Sequence, residues 1–257
     1  MSSSSSQRKT LQIGIIGFGP FAQFLAKTMM KQGNFIRVTS RSDYSELCTN
    51  LGILFFRDMG AFLESDNEVI MISTSILSLS RVVESIPFHC LKRPTLFVDV
   101  LPEECDLLCT HPMFGPESGK DGWTDLTFMY DMVRIRDQPL SSSFLHIFSS
   151  EGCRMLEMTC EEHDRLAAQS QFLTHTIGRI LSEMEVEPTP IDTKGFQKLV
   201  QVKESSVKDS FDLFSGLFIH NRFARQQMKN LQVALEKTKE KLQERSKELQ
   251  DPIISKF

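Results

Sequence analysis

A chain of 257 residues has room for one or two domains, and a 40% share of hydrophobic residues suits a sizeable core. A net charge of -4 at pH 7 argues against a nucleic-acid partner, and no run approaches the ~18 consecutive apolar residues of a membrane span. Six cysteines lack paired zinc-ligand spacing, so reduced thiols and no metal are expected.

Residues 1–10 form a polar, serine-led tail, expected to be disordered. It is too short and polar for a secretory signal and short for an organellar one, so a cytoplasmic location is expected. Residues 11–17 (LQIGIIG) read as a buried strand. Residues 20–32 read as a helix with Phe21, Phe24, Leu25 and Met29 on one face, stopped at Gly33. Phe35–Thr39 is a second strand, a helix follows near Tyr44–Leu51, and further strands are expected at Ile53–Phe56, Val69–Ser73, Leu96–Val100 and Leu107–Thr110. Strands alternating with helices predict an α/β fold, a Rossmann-type doubly wound parallel sheet over residues 11–140. The pattern then turns helical at 141–149, 161–186, 195–218 and 221–248. Residues 141–257 are therefore expected to form an all-α domain. The last helix is amphipathic, with Leu231, Leu235 and Leu242 roughly on one face.

The segment Gly17-Phe18-Gly19-Pro20-Phe21-Ala22 fits G-x-G-x-x-A between a strand and a helix. Gly17 permits the tight turn, Gly19 lets backbone approach a pyrophosphate, and Ala22 lets helix and strand pack closely. The phosphates then face the helix N-terminus, where N–H groups and the dipole favour an anion. At the end of the second strand, where NAD enzymes carry an acidic residue, stand Ser40, Arg41 and Ser42. A guanidinium between hydroxyls suits a 2′-phosphate, so NADP is expected, although Asp43 lies close by. Thr74 and Ser75, just past the fourth strand, are expected in the same crevice.

Two further segments carry polar groups among apolar ones: residues 110–119 (THPMFGPESG), directly after a strand, and residues 171–179 (QFLTHTIGR). Gln171, Thr174, His175 and Arg179 fall three or four apart and share a helix face. Taken singly, each histidine also fits an ordinary packed or surface position.

With these segments the chain resembles the plant TyrA-type arogenate/prephenate dehydrogenases over nearly its whole length. The likeness runs through GFGPFAQFLAKTM, SRSDYS, CTHPMFGPESGK, EGCRMLEM, CEEHD, SQFLTHTIGR, TPIDTKGF and DSFDLFSGLF. Its serine-led start is similar to the non-plastidial branch found in legumes. The resemblance implies NADP-dependent oxidative decarboxylation of arogenate to tyrosine, or of prephenate to 4-hydroxyphenylpyruvate. It implies a small-molecule substrate and a homodimer, with residues 141–257 as the helical domain for substrate binding and dimerisation. His111 is implied as the catalytic base, and Gln171, His175 and Thr193 as substrate-holding residues. Asp209 falls where arogenate-specific members carry Asp and prephenate-specific legume members carry Asn; a carboxylate there suits the arogenate ammonium. Asp209 equally fits a helix cap or a solvated carboxylate.

The chain departs from the family after Leu101. Val98-Asp99-Val100-Leu101 runs straight into Pro102-Glu103-Glu104-Cys105, without the family's intervening SVKE-like segment and its serine beside the catalytic histidine. Only a handful of residues then separate two strands, where a parallel crossover ordinarily takes a dozen or more. A rearranged sheet is expected, and with it a third reading, a catalytically impaired isoform that dimerises.

Overall fold

The computed structural model describes residues 10–98 and 105–250. The chain divides into two compact units, residues 1–163 and 164–257.

The first unit is built on one eight-stranded sheet. In chain order its elements are β1 (Gln12–Ile16), α1 (Pro20–Lys31), β2 (Phe35–Thr39), α2 (Ser45–Leu51), β3 (Leu54–Phe56), α3 (Met59–Glu64), β4 (Val69–Ile72) and α4 (Leu79–Glu84). Then come β5 (Leu96–Val98), β6 (Asp106–Pro112), β7 (Thr127–Arg134), α5 (Gln138–Ser150), β8 (Arg154–Glu157) and α6 (Cys160–Ala167). The strand order is β3-β2-β1-β4-β5-β6-β7-β8, parallel through β6.

Both faces of the parallel part are covered, which is why its strands are continuous apolar runs. Ile13, Ile15, Val69, Met71, Leu96 and Val98 join one buried cluster with Leu25 and Met29 of α1 and Phe144 and Phe148 of α5. The alternate residues Ile16, Ile70, Ile72 and Phe97 join another with Phe62 and Leu63 of α3. Each fully buried Leu, Ile or Phe contributes about 1.5–3 kcal/mol.

Three expectations change. First, β5 and β6 are parallel neighbours, Leu96 opposite Asp106 and Val98 opposite Leu108. The described part of β5 is Leu96–Val98, and its ladder with β6 is continuous over those residues. The junction after Leu101 itself lies outside the described residues, as do residues 1–9 of the tail and the end of the expected strand Leu96–Val100. Second, the sheet is parallel only as far as β6. β7 runs antiparallel to β6, with a register shift between Leu107 and Cys109, and β8 pairs parallel with β7. Third, the first unit runs beyond the expected 140, because α5 packs into the sheet's core and β8 adds an edge strand.

The second unit holds a π-helical turn, Ala168–Phe172, leading into α7 (Leu173–Glu183), then α8 (Lys194–Lys208), α9 (Phe211–Ile219) and α10 (Ala224–Gln250). The single helix expected over 195–218 is two, because the chain turns extended at Asp209 and Ser210 caps α9 by accepting from the Leu213 N–H. α7 and α8 cross closely at Gly178, where a Cβ would stand 2.3 Å from Ser206 Oγ. No helix among the described residues is long and apolar enough to cross a membrane.

Candidate active site

Strand register brings the expected residues of the first unit to one edge. Ile15, Met71, Val98 and Leu108 are level across β1, β4, β5 and β6. Gly17 and Gly19 follow β1, Thr74 and Ser75 follow β4, Ser40 to Ser42 follow β2, and His111 lies three residues past Leu108 near the end of β6. All stand at the carboxyl end of the parallel strands, where open α/β sheets bind ligands.

Gly17 has φ +90°, and a Cβ there would stand 2.5 Å from the Ser73 carbonyl oxygen, so the turn requires glycine. Its N–H donates to Thr39 O at 2.8 Å, fixing the loop to β2. Gly19 caps α1 without a side-chain hydrogen bond, and no heavy atom lies within 4 Å of where its Cβ would be. The helix N-terminus thus opens onto space over bare backbone, and Pro20 occupies a first-turn position that donates no helical bond. Ala22 is buried against the sheet, whereas Phe21 is half-buried and its ring lies 6.4 Å from Phe24. Thr74 Oγ1 is buried without a hydrogen-bond partner, whereas buried polar groups ordinarily have one. Ser75 Oγ instead donates to Ser78 Oγ.

Arg41 and Ser42 are exposed. Asp43, the acidic residue nearest them, is taken up: it accepts from the Ser45 N–H at 2.9 Å and pairs with Arg57. The Ser45 hydrogen bonds, followed by the Arg57 guanidinium, hold its carboxyl down at about 2.

The loop after His111 is anchored rather than loose. Gly119 lies against Phe24 of α1, and Phe24, Phe114, Trp123 and Phe148 form a chain of ring contacts with centroids 5.4–6.3 Å apart. His111 Nδ1 lies 2.8 Å from His163 Nε2 on α6, with the rings 4.9 Å apart at 65°. Sequence reasoning did not single out His163: its partner is 52 residues away, and a histidine within CEEHD reads as part of a solvated helix face.

The second unit gathers Gln171, His175 and Asp209. Gln171 Oε1, His175 Nδ1 and Arg179 Nε are spaced four apart around the π-turn and α7, and all three are buried without partners. Asp209, at the end of α8, places Oδ2 3.8 Å from His175 Nε2, and its backbone carbonyl accepts from Arg179 at 2.8 Å. The Arg179 guanidinium lies over Phe211 and Phe214. Burial pushes the His175 imidazole down; Asp209 opposes this and Arg179 reinforces it. Thr193 is not brought to this group. It caps the other end of α8, accepting from the Phe196 N–H at 3.2 Å, and 15 helical residues put about 22 Å between the two ends. Among the described residues no His/Cys/Asp/Glu group could hold a metal.

Against known families, the profile described as NADP oxidoreductase, coenzyme F420-dependent, matches residues 12–103, and the TYRAAT1-like C-terminal domain profile matches residues 180–252. The chain is 50% identical over 260 residues to arogenate dehydrogenase 1, chloroplastic, of Arabidopsis thaliana, covering 94% of this chain and 41% of that protein. It is 46% identical over 258 residues to arogenate dehydrogenase 2, chloroplastic, of the same plant, covering 93% of this chain and 72% of that one. The chain thus spans less than half of the first relative and about three quarters of the second. In fold it is similar to prephenate dehydrogenase from A. aeolicus, solved with hydroxyphenyl propionate and NAD+, at a TM-score of 0.71 and 14% identity over 97% of this chain and 95% of that one.

Proposed function

The chain belongs to the arogenate dehydrogenase family, and we propose that it oxidises arogenate to tyrosine with loss of CO2, using NADP. The observation that carries the reading is the gathering of His111, Thr74 and the Gly17–Gly19 loop at the carboxyl edge of one sheet.

The open backbone at Gly19 and the unsatisfied Thr74 hydroxyl fit a dinucleotide. Gly17, Gly19, Phe21 and Ala22 would hold its pyrophosphate turn, with Ser75 beside them, and Ser40, Arg41 and Ser42 its 2′-phosphate. When bound, the cofactor supplies the two-electron acceptor. His111 takes the proton from the ring hydroxyl, a transfer suited to imidazole near neutrality. Aromatisation drives the loss of CO2, so the remaining residues need only hold the ring. Gln171 and His175 bear unsatisfied buried atoms suited to a polar substrate, and Asp209 offers a carboxylate to an ammonium. Thr193 would serve the site only from a different position than one protomer's α8 gives it.

The second unit leaves Met184, Phe211 and Leu242 more than 60% exposed, which supports a homodimer. The decisive assay follows NADPH from arogenate and from prephenate with wild type and His111→Asn. Wild-type turnover of arogenate, lost in His111→Asn, supports the proposal. A folded wild type that reduces NADP with neither substrate refutes it.

A further inference from the structure

We propose that His163 is a positioning residue for His111, fixing the tautomer that presents a basic Nε2 to the substrate hydroxyl; this rests on the reading of His111 as the proton acceptor. A 2.8 Å separation between His111 Nδ1 and His163 Nε2 is a hydrogen bond, and one nitrogen must donate while the other accepts. A base at His111 Nε2 needs its lone pair there, so the proton belongs on Nδ1. That N–H then donates to His163 Nε2, and the His163 proton sits on its own Nδ1. An unconstrained neutral imidazole favours the opposite form, with the proton on Nε2, which cannot accept. The hydrogen bond on one ring nitrogen decides the state of the other. When the hydroxyl proton moves from the substrate oxygen to His111 Nε2, the ring becomes an imidazolium and the same bond becomes charge-assisted, stabilising the cation as it forms.

The pair is held by independent contacts. β6 carries both Cys109 and His111, and α6 carries both Cys160 and His163. The Cys160 N–H donates to Asp131 Oδ2 at 2.7 Å, and Asp131 on β7 lies opposite Cys109 in the ladder. The Cys109 thiol is the largest influence pushing the Cys160 thiol up, so the two side chains are neighbours. The His163 N–H donates to Thr159 O at 2.9 Å, closing the first turn. The imidazole pair ties α6 to β6, and the Cys160 N–H to Asp131 bond ties the start of α6 to β7 beside it. The backbone of His163 is thus held at the start of a helix that Asp131 anchors to β7.

The experiment uses full-length protein labelled with 15N-histidine, two-bond 1H–15N spectra and steady-state kinetics, with His111→Asn assigning the His111 signal. Wild-type His111 is expected as the Nδ1–H tautomer. His163→Ala shifts it toward Nε2–H and lowers kcat about tenfold or more, with KM changing less than about threefold. His163→Gln, whose amide oxygen can still accept the Nδ1 proton, keeps the tautomer and recovers most of kcat. An Nε2–H tautomer in wild type, or an unchanged tautomer in a folded His163→Ala, overturns the inference. If His163→Ala does not fold, the wild-type and His163→Gln spectra still decide it. Absent turnover in wild type would sink the functional reading alone, because the spectra do not depend on it.

Discussion

His175 Nε2 lies 3.8 Å from Asp209 Oδ2, joining α7 to the residue that ends α8. The carboxylate is 45% exposed and so accessible to a second cation. On the proposed reading that cation is the substrate ammonium, and a neutral amide removes the attraction while accepting a keto acid without an unpaired charge. Asp209→Asn is expected to lower kcat/KM for arogenate about tenfold, about 1.4 kcal/mol, and to raise it for prephenate, so that discrimination changes by more than that. Equal ratios in wild type and variant, measured side by side, would remove Asp209 from specificity.

The same contact has a pH signature. Burial, the largest influence, holds His175 below its ordinary value despite Asp209, so near neutrality the neighbour of the carboxylate is a neutral imidazole. The unfolded chain then binds a proton that the folded chain resists. The stabilising contribution is complete above about pH 6.5 and is lost as pH falls from there through the lower folded-state value. Between pH 7 and pH 5 the Tm of wild type should fall more steeply than that of His175→Gln. Parallel Tm curves would show that His175 titrates alike folded and unfolded.

The β-α-β unit around Gly17 was legible because its cause is local. The Gly17 turn, the bare backbone at Gly19 and the Thr39–Arg41 junction depend on residues within one β-α-β unit. β7 and β8 went unread because their apolar and polar residues do not alternate cleanly: β7 runs Thr127-Phe128-Met129-Tyr130-Asp131, and edge strand β8 has no fully buried residue. The break at Asp209 was findable, since Ser210 followed by Asp212 is a helix-start signal. His163 and Asp131 were not, because each acquires its role from a strand or helix distant in sequence. The parallel β5–β6 pairing ran against expectation because the dozen-residue rule generalises over helix-bridged strands and sets no limit on pairing itself.

At the α7–α8 crossing, a Cβ on Gly178 would meet Ser206 Oγ at 2.3 Å, Ser206 Cβ at 2.5 Å and the Val202 carbonyl oxygen at 2.8 Å. The last is backbone, so the helices must separate rather than a side chain rotate. Overpacking of this kind costs about 1–3 kcal/mol, against less than about 1 kcal/mol regained from helix propensity. Gly178→Ala should therefore lower the urea midpoint and spoil the His175–Asp209 alignment, while binding of the proposed cofactor to the first unit stays unchanged. A variant as stable as wild type by urea titration contradicts this packing account.

Arg41 is exposed, and among the described residues no carboxylate claims it, whereas Asp43 is held by Ser45 and Arg57. The guanidinium is thus available to a 2′-phosphate, and the acidic group that would suit a ribose diol is turned to other partners. A hydrogen bond to a charged group contributes about 1.5–3 kcal/mol, so Arg41→Ala should raise KM for NADP about tenfold or more. KM for NAD, which has no phosphate there, should move less than about threefold. Kinetics with both cofactors at saturating substrate separate the outcomes. Equal losses with NADP and NAD would mean that Arg41 supports the loop rather than reads the phosphate, and wild type preferring NAD would assign the cofactor the other way.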